Sequence, residues 1–350
     1  MSPVASADVI VIGAGVVGTC TARALARQGR DVLLLERFRI PHTHGSSHGA
    51  SRIFRFSYQD PRFVRMAQEA LPLWRELEEE ADTPLLTVTG GLDLGVGVEE
   101  HAIALESCGV EMEWLDASQV ARRFPLVLPS GTRALFQPGA GYLAADSTVQ
   151  AAAASARRHG AEIREETPVK ALRSTPRGVE VDTETETLRA PVAVVTAGGW
   201  AKGLLAGAGI DLPVRVTEET VAYFALDERA VIPSLVDWGS PAVYSLRSPG
   251  QGLKVGEHIA GPVVDPDHRA GPRQESVERL TTWVKERYPT ADPEPHLAET
   301  CLYTNTEDEE FILDRQGPIV IGSPCSGHGF KFAPLNGERL AALASDRRAA

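Results

Sequence analysis

The chain has 350 residues, 43% of them hydrophobic and 23% charged, enough for one large core or two closely packed ones and too apolar for a disordered protein. With 35 Lys and Arg against 47 Asp and Glu, its net charge of -12 repels nucleic acid and anionic membrane surfaces at long range, so a small molecule is the expected partner. Cys20, Cys108, Cys301 and Cys325 have no CxxC spacing and are too few to staple a chain of this length, which predicts reduced thiols and a cytoplasmic setting.

Residues 8–12 (DVIVI) form a continuous β-branched run that predicts a buried parallel strand. Small and apolar residues at helical spacing follow from Val16 to Gln28 and stop at Gly29, and a second apolar run, Val32 to Leu35, ends at Glu36. This is a βαβ unit. Its apolar stretch from Val9 to Val17 is interrupted by Gly13 and Gly15, lacks a basic leader and is well short of the ~20 residues of a membrane span, so neither export nor an anchor is expected. Gly13-Ala14-Gly15-Val16-Val17-Gly18 lies at the strand-to-helix turn, the setting of a dinucleotide fingerprint. Gly13 permits the tight turn, Gly15 lets the backbone approach a pyrophosphate, Gly18 allows close helix–strand packing, and Glu36 can accept ribose hydroxyls.

The next segment, PHTHGSSHGASRIFR from Pro41 to Arg55, is too rich in Gly, Ser and His for an ordinary crossover and suits contacts to an extended phosphate and isoalloxazine. Pro61 to Glu80 predicts a helix whose Phe63, Ala67, Ala70, Leu71, Trp74 and Leu77 share a core face, and Trp74 is given no function. Asp146 is expected to cap an Ala-rich helix ending at Gly160; Val192 to Thr196 is a buried strand closed by Ala-Gly-Gly-Trp, and Pro318 to Gly322 adds a late strand. Residues 87–142 and 214–308 are richer in Thr, aromatics and alternating patterns. The expected fold is therefore α/β, with a Rossmann-like domain from residues 1–86, 143–213 and 309–350 and a second, mixed antiparallel-sheet domain from 87–142 and 214–308.

Six motifs in order, GAGVVG with Glu36, PHTHGSSHGASRIFR, TAGGW at 196–200, GLKVGEH at 252–258, CLYTNTEDEEFILD at 301–314 and SGHGFKF at 326–332, resemble the monomeric sarcosine oxidase and N-methyltryptophan oxidase group of FAD-dependent amine oxidases. The resemblance covers nearly the whole chain. It implies FAD, linked covalently through Cys301, with cofactor contacts from Gly13, Gly15, Gly18, Glu36, Arg37, Ser46, Ser47, Val169, Gly198, Trp200, Gly327, His328, Gly329 and Lys331. It implies that Arg55 and Lys331 bind a substrate carboxylate, a task suited to a fork of donors plus a point charge. His48 and Arg52 would flank the flavin ring, Tyr244, His258 and Tyr303 would line the substrate cavity, and Lys254 would lie against the flavin and promote oxygen reduction. Without the resemblance Cys301 reads as a buried apolar residue, Arg55 as a surface ion pair, and Lys254, opposite in direction to Leu253 and Val255 in a period-2 strand, as a solvated lysine.

Ser323-Pro324-Cys325 replaces the family's usual Gly-Phe before SGHGFK, which removes one N–H donor and fixes a φ angle near the flavin. The chain ends soon after a helix expected near Gly337, so a short or missing C-terminal extension is expected. The implied activity is oxidation of a secondary amine bearing a carboxylate, with O2 as acceptor and H2O2 as product, by a monomer that binds neither nucleic acid nor membrane. Oxidation of a cyclic imino acid, or an FAD-dependent dehydrogenase that does not use oxygen, are the alternatives. An NAD-dependent dehydrogenase would leave Cys301 and SGHGFKF without a role, and a flavin-bound assembly subunit would have no use for Arg55, Lys254 and Lys331.

Overall fold

The computed structural model describes residues 7–346. A six-stranded sheet runs in the order Ile312–Gln316, Ile319–Ser323, Val192–Val195, Val9–Ile12, Val32–Leu35, Glu162–Arg164. Its neighbours are parallel except for the antiparallel edge pair Ile312–Gln316 and Ile319–Ser323. The central strands VIVI, VLLL and VAVV are buried at every position because helices cover one face and a second small sheet the other. Ile12 pairs with both Val195 and Leu35, so three strands end together at the glycine turn. Open α/β sheets bind their ligands at such carboxyl ends.

Helix Val16–Arg27 packs against helices Ala145–Arg158 and Ala333–Ser345. A Cβ on Gly337 would stand 2.7 Å from the Cys20 backbone, which is why glycine sits at that crossing. The opposite face carries the antiparallel strands Ala171–Thr175, Gly178–Asp182 and Thr187–Ala190, whose Leu172, Val179, Val181 and Leu188 meet Ile10, Leu33 and Leu35.

An eight-stranded sheet runs in the order Pro295–Asn305, Arg215–Phe224, Gly252–His258, Ala242–Ser248, Ser234–Trp238, Gly91–Gly95, Arg133–Gln137, Glu113–Asp116. It is antiparallel except where Ser234–Trp238 joins Gly91–Gly95. Helix Gln274–Arg287 covers one face with Leu280 and Val284, against Phe224, Leu253 and Val255. The other face looks toward the parallel sheet.

Three local expectations are corrected. Asp146 does not cap its helix, which starts at Ala145; its carboxylate instead accepts from the Gly49 amide at 2.9 Å, tying the helix to the Ser-, Gly- and His-rich segment. The helix Pro61–Ala81 is capped by Asp60, and its face turns so that Val64 is buried where Phe63 and Leu71 are only half-buried. The last helix begins at Ala333.

Candidate active site

A continuous cavity of about 550 Å³ runs from the glycine turn, between the two large sheets, to the loop at Gly327–Lys331. At its first end Gly13 has φ +97°, and a Cβ there would lie 2.7 Å from the Thr196 carbonyl oxygen. A Cβ on Gly18 would lie 1.8 Å from the Gly13 carbonyl oxygen, so helix and strand touch only because that residue is glycine. Val16 N–H donates to Ser47 Oγ at 3.0 Å. Glu36 accepts from Ala14 N–H at 2.6 Å and Phe38 N–H at 2.9 Å, so its carboxylate also braces the turn. Burial raises its pKa, but the hydrogen bonds from His42, Ala14 and Phe38 outweigh that and hold the carboxyl below its ordinary range. Arg37 and Trp200 close the mouth: both reach Asp267, at 2.8 and 2.9 Å, and the guanidinium lies 5.7 Å from the indole ring. Val169 and the positive-φ Gly198 line the same end.

In the middle, Arg52 donates to the Ser46 carbonyl at 3.0 Å and to Cys301 Sγ at 3.4 Å, while Ser46 Oγ donates to the Leu302 carbonyl at 2.5 Å. Lys254 is 3% exposed, with Nζ donating to the Ser51 carbonyl at 3.4 Å. Its strand Gly252–His258 is covered on both faces, so the period-2 pattern that suggests a solvated lysine describes a buried one. Burial and the repulsion of Arg52 push its pKa down to about 7. His48 stands behind the wall; burial first, then Arg52 and Lys254, lower its pKa to about 3.

At the far end Lys331 Nζ donates to Tyr58 OH at 2.8 Å and to the His328 carbonyl at 2.7 Å. Burial and the nearby Arg55 drive its pKa well below the usual lysine value. The Arg55 guanidinium is stacked between Tyr58 and Trp238, 4.4 and 5.0 Å from their ring centres. Burial also lowers His328 far below the usual histidine value; its Nδ1 faces Tyr58 OH at 3.2 Å, and its ring packs among Phe63, Phe311 and Phe332. Burial raises the pKa of Tyr244 and Tyr303 and keeps both phenols protonated. The Tyr303 and His258 rings crowd Gly327, where a Cβ would meet them at 2.3 and 2.8 Å. Gly329 is equally confined, 1.7 Å from the Pro324 carbonyl oxygen by the same measure.

Every site residue expected from the sequence lines the cavity except Gly18 and His48. Gly18 acts through packing. Ser323, Pro324 and Cys325 also line it, and Cys325 Sγ accepts from the Thr304 amide at 3.4 Å. Tyr58, Asp93 and Trp238 were missed. Tyr58 stands three residues after Arg55, and Asp93 is an acid inside the apolar strand Gly91–Gly95, a local inconsistency of the kind that marks functional positions.

The cavity fits a flavin dinucleotide by two observations. Gly13, Gly15 and Val16, at the N-terminus of the helix Val16–Arg27, line the cavity where a pyrophosphate can meet them. Ser51 Oγ, Ser323 Oγ and His48 Nε2, on or behind the wall, are buried without a hydrogen-bond partner.

The family of FAD dependent oxidoreductases matches residues 8–343. The chain is 35% identical to the peroxisomal sarcosine oxidase of Homo sapiens, covering 95% of this chain and 90% of the human protein. It is 32% identical to a monomeric sarcosine oxidase of a Bacillus species, over 96% and 92% of the two chains. Among solved structures, NikD, an unusual amino acid oxidase essential for nikkomycin biosynthesis, superposes with a TM-score of 0.90 at 29% identity, over 99% of this chain and 95% of NikD. With its glycine turn, its strands and its cavity in that arrangement, the chain belongs to the family of FAD-dependent oxidoreductases, alongside the sarcosine oxidases.

Proposed function

We propose that the protein oxidises a secondary amine carrying a carboxylate, sarcosine or another N-methyl amino acid, with O2 as acceptor and H2O2 released beside the imine or aldehyde product. The observation that carries this reading is the pair of buried basic side chains, Arg55 and Lys331, at one end of the cavity whose other end is the glycine turn. FAD supplies the two-electron chemistry when bound, accepting a hydride equivalent from the amine and giving it up to oxygen.

The chain holds and orients. Gly13, Gly15, Ser47, Glu36, Arg37, Val169, Gly198 and Trp200 serve the nucleotide part; Ser46, Arg52, His48, Gly327, His328 and Gly329 serve the ring. Cys301 is the covalent attachment point, a role supported by a sulfur that lines the cavity with a guanidinium 3.4 Å away. Arg55 and Lys331 bind the carboxylate and disfavour an ammonium beside them, so the neutral amine that can release hydride is selected. Tyr244, His258 and Tyr303 wall in the carbon skeleton and exclude water. Lys254 offers a cation where oxygen takes on negative charge.

In this reading residues 1–86, 143–213 and 309–350 form the cofactor domain and 87–142 and 214–308 the substrate domain, supported by the way the strands of the two large sheets divide between these ranges. A cytoplasmic monomer is the working form. It is supported by the monomeric Bacillus relative and by the absence, among the described residues, of a helix long and apolar enough to cross a membrane. A cyclic imino acid is the second reading, favoured by the aromatic lining of Trp238, Tyr244 and Tyr303.

A peroxide assay against N-methyl amino acids, proline, pipecolate and the matching amides tests this. A charge-assisted carboxylate contact contributes about 1.5–3 kcal/mol, so amides are expected to react roughly 10- to 100-fold less efficiently. Equal turnover of acid and amide overturns the reading, and a preference for the cyclic acids favours the second. Flavin reduction by amine without peroxide would identify a dehydrogenase instead.

A further inference from the structure

Asp93 lies outside the cavity lining and is 1% exposed, in the strand Gly91–Gly95. Its carboxylate accepts from three donors: Oδ1 from Trp238 Nε1 at 2.9 Å and Arg55 Nη1 at 3.4 Å, Oδ2 from Gln137 Nε2 at 2.9 Å. The Gln137 amide cannot turn to offer its oxygen, because that oxygen already accepts from Phe56 N–H at 2.9 Å. The surrounding donor set therefore calls for a carboxylate. His101, with Nδ1 3.9 Å from Asp93 Oδ1, brings no second cation, since burial lowers its pKa to about 4. The partner charge is the Arg55 guanidinium, which itself lines the cavity.

We propose that Asp93 is a specificity-determining residue: an internal counter-charge to Arg55 that leaves the far end of the cavity suited to one ligand carboxylate and selects monocarboxylate amines over dicarboxylate ones. The inference rests on the carboxylate-binding role given to Arg55 and Lys331 above. The Asp93 carboxylate offsets the Arg55 guanidinium, and one ligand carboxylate beside Lys331 favours that lysine's charged form, so a single ligand carboxylate balances the site. A second one adds a negative charge near the fixed Asp93 carboxylate, where Arg55, Tyr58 and Lys331 are all buried. Asp93 acts through Arg55 and has no contact with the amine.

The test compares succinamate and succinate, which match in size and differ by one charge, by calorimetric titration of the flavin-loaded enzyme. Wild type is expected to bind succinamate more tightly. In Asp93→Asn, and in Asp93→Ser should the first variant not fold, the ratio of affinities is expected to move toward succinate by at least about 10-fold, equal to about 1.4 kcal/mol. A merely structural role would weaken both ligands and leave the ratio unchanged, and an unchanged ratio overturns the inference. A wild type that already prefers succinate overturns it as well. If wild type binds neither acid, the carboxylate-binding reading itself fails, and this inference fails with it.

Discussion

Lys254 illustrates how burial converts an ordinary side chain into a device. A pKa near 7 means that its ammonium is held at a cost and is well placed to stabilise charge that appears in front of it. Lys254→Met is expected to slow oxidation of the reduced enzyme by at least ~100-fold, about 2.7 kcal/mol. Anaerobic reduction by amine should fall much less. Stopped-flow measurement of the two half-reactions separates these effects, and loss of reduction alone would move Lys254 to the substrate side. Cys301 gives a second outcome at this scale. Acid precipitation should leave yellow colour in the wild-type pellet, and Cys301→Ser should release it, whereas Cys325→Ser should not. His48 gives a third. It is neutral in the folded protein down to about pH 3 and takes up a proton near 6.5 when unfolded, so the unfolded state binds more protons between those values. Stability contributed by neutral His48 is complete above 6.5 and is lost as pH falls toward 3. His48→Leu should flatten that acid slope by about 3 kcal/mol in urea titrations between neutral pH and about pH 4. An unchanged slope would show that His48 is solvated.

At the scale of the element, the strand–glycine turn–helix unit was legible in the sequence because its physics is local. Three glycines, a β-branched run and a helical period lie within thirty residues, and each has one structural use. Gly18→Ala places a methyl carbon 1.8 Å from a backbone oxygen that cannot yield without opening the turn. A loss of about 3 kcal/mol or more is expected, together with failure to retain flavin, read by thermal melting and by the absorbance of the purified protein. Retention of flavin at wild-type stability would mean that the helix can slide. The cap of the helix Ala145–Arg158 was misread for the opposite reason. Asp146 has the right side chain for a cap, but the Gly49 amide, far away in sequence, takes its carboxylate. The strand Gly252–His258 likewise alternates as an exposed-face strand does, yet both faces are covered, and that depends on which sheets pack together.

For the whole molecule, the cavity between the two sheets is the weak point of the core. Several buried polar atoms around it lack protein partners, and a ligand that binds only the folded state stabilises it by mass action. Apoprotein prepared from Cys301→Ser is therefore expected to melt below the same variant reloaded with FAD, by roughly 2.7 kcal/mol when FAD is at 100 times its Kd. Equal melting temperatures would show that FAD does not bind this cavity. The helix Pro61–Ala81 adds a second long-range tie, since Trp74 Nε1 donates to the Lys331 carbonyl at 2.8 Å. A tryptophan read from its period as core packing thus also holds the loop that carries a cation of the site.

The sequence by itself determined the dinucleotide turn, the class of fold, and the residue types that line most of the cavity, because these follow from short-range patterns and from motifs whose resemblance spans the chain. Tertiary structure alone decided which charges meet. Asp93 and Arg55 are neighbours because the strand Gly91–Gly95 of the eight-stranded sheet comes beside the residue that follows the strand Arg52–Phe54, and Tyr58 stands between Arg55 and Lys331 because two distant segments converge there. Coulomb interaction and desolvation act through space, so the electrostatics of the site become visible only once the chain has folded.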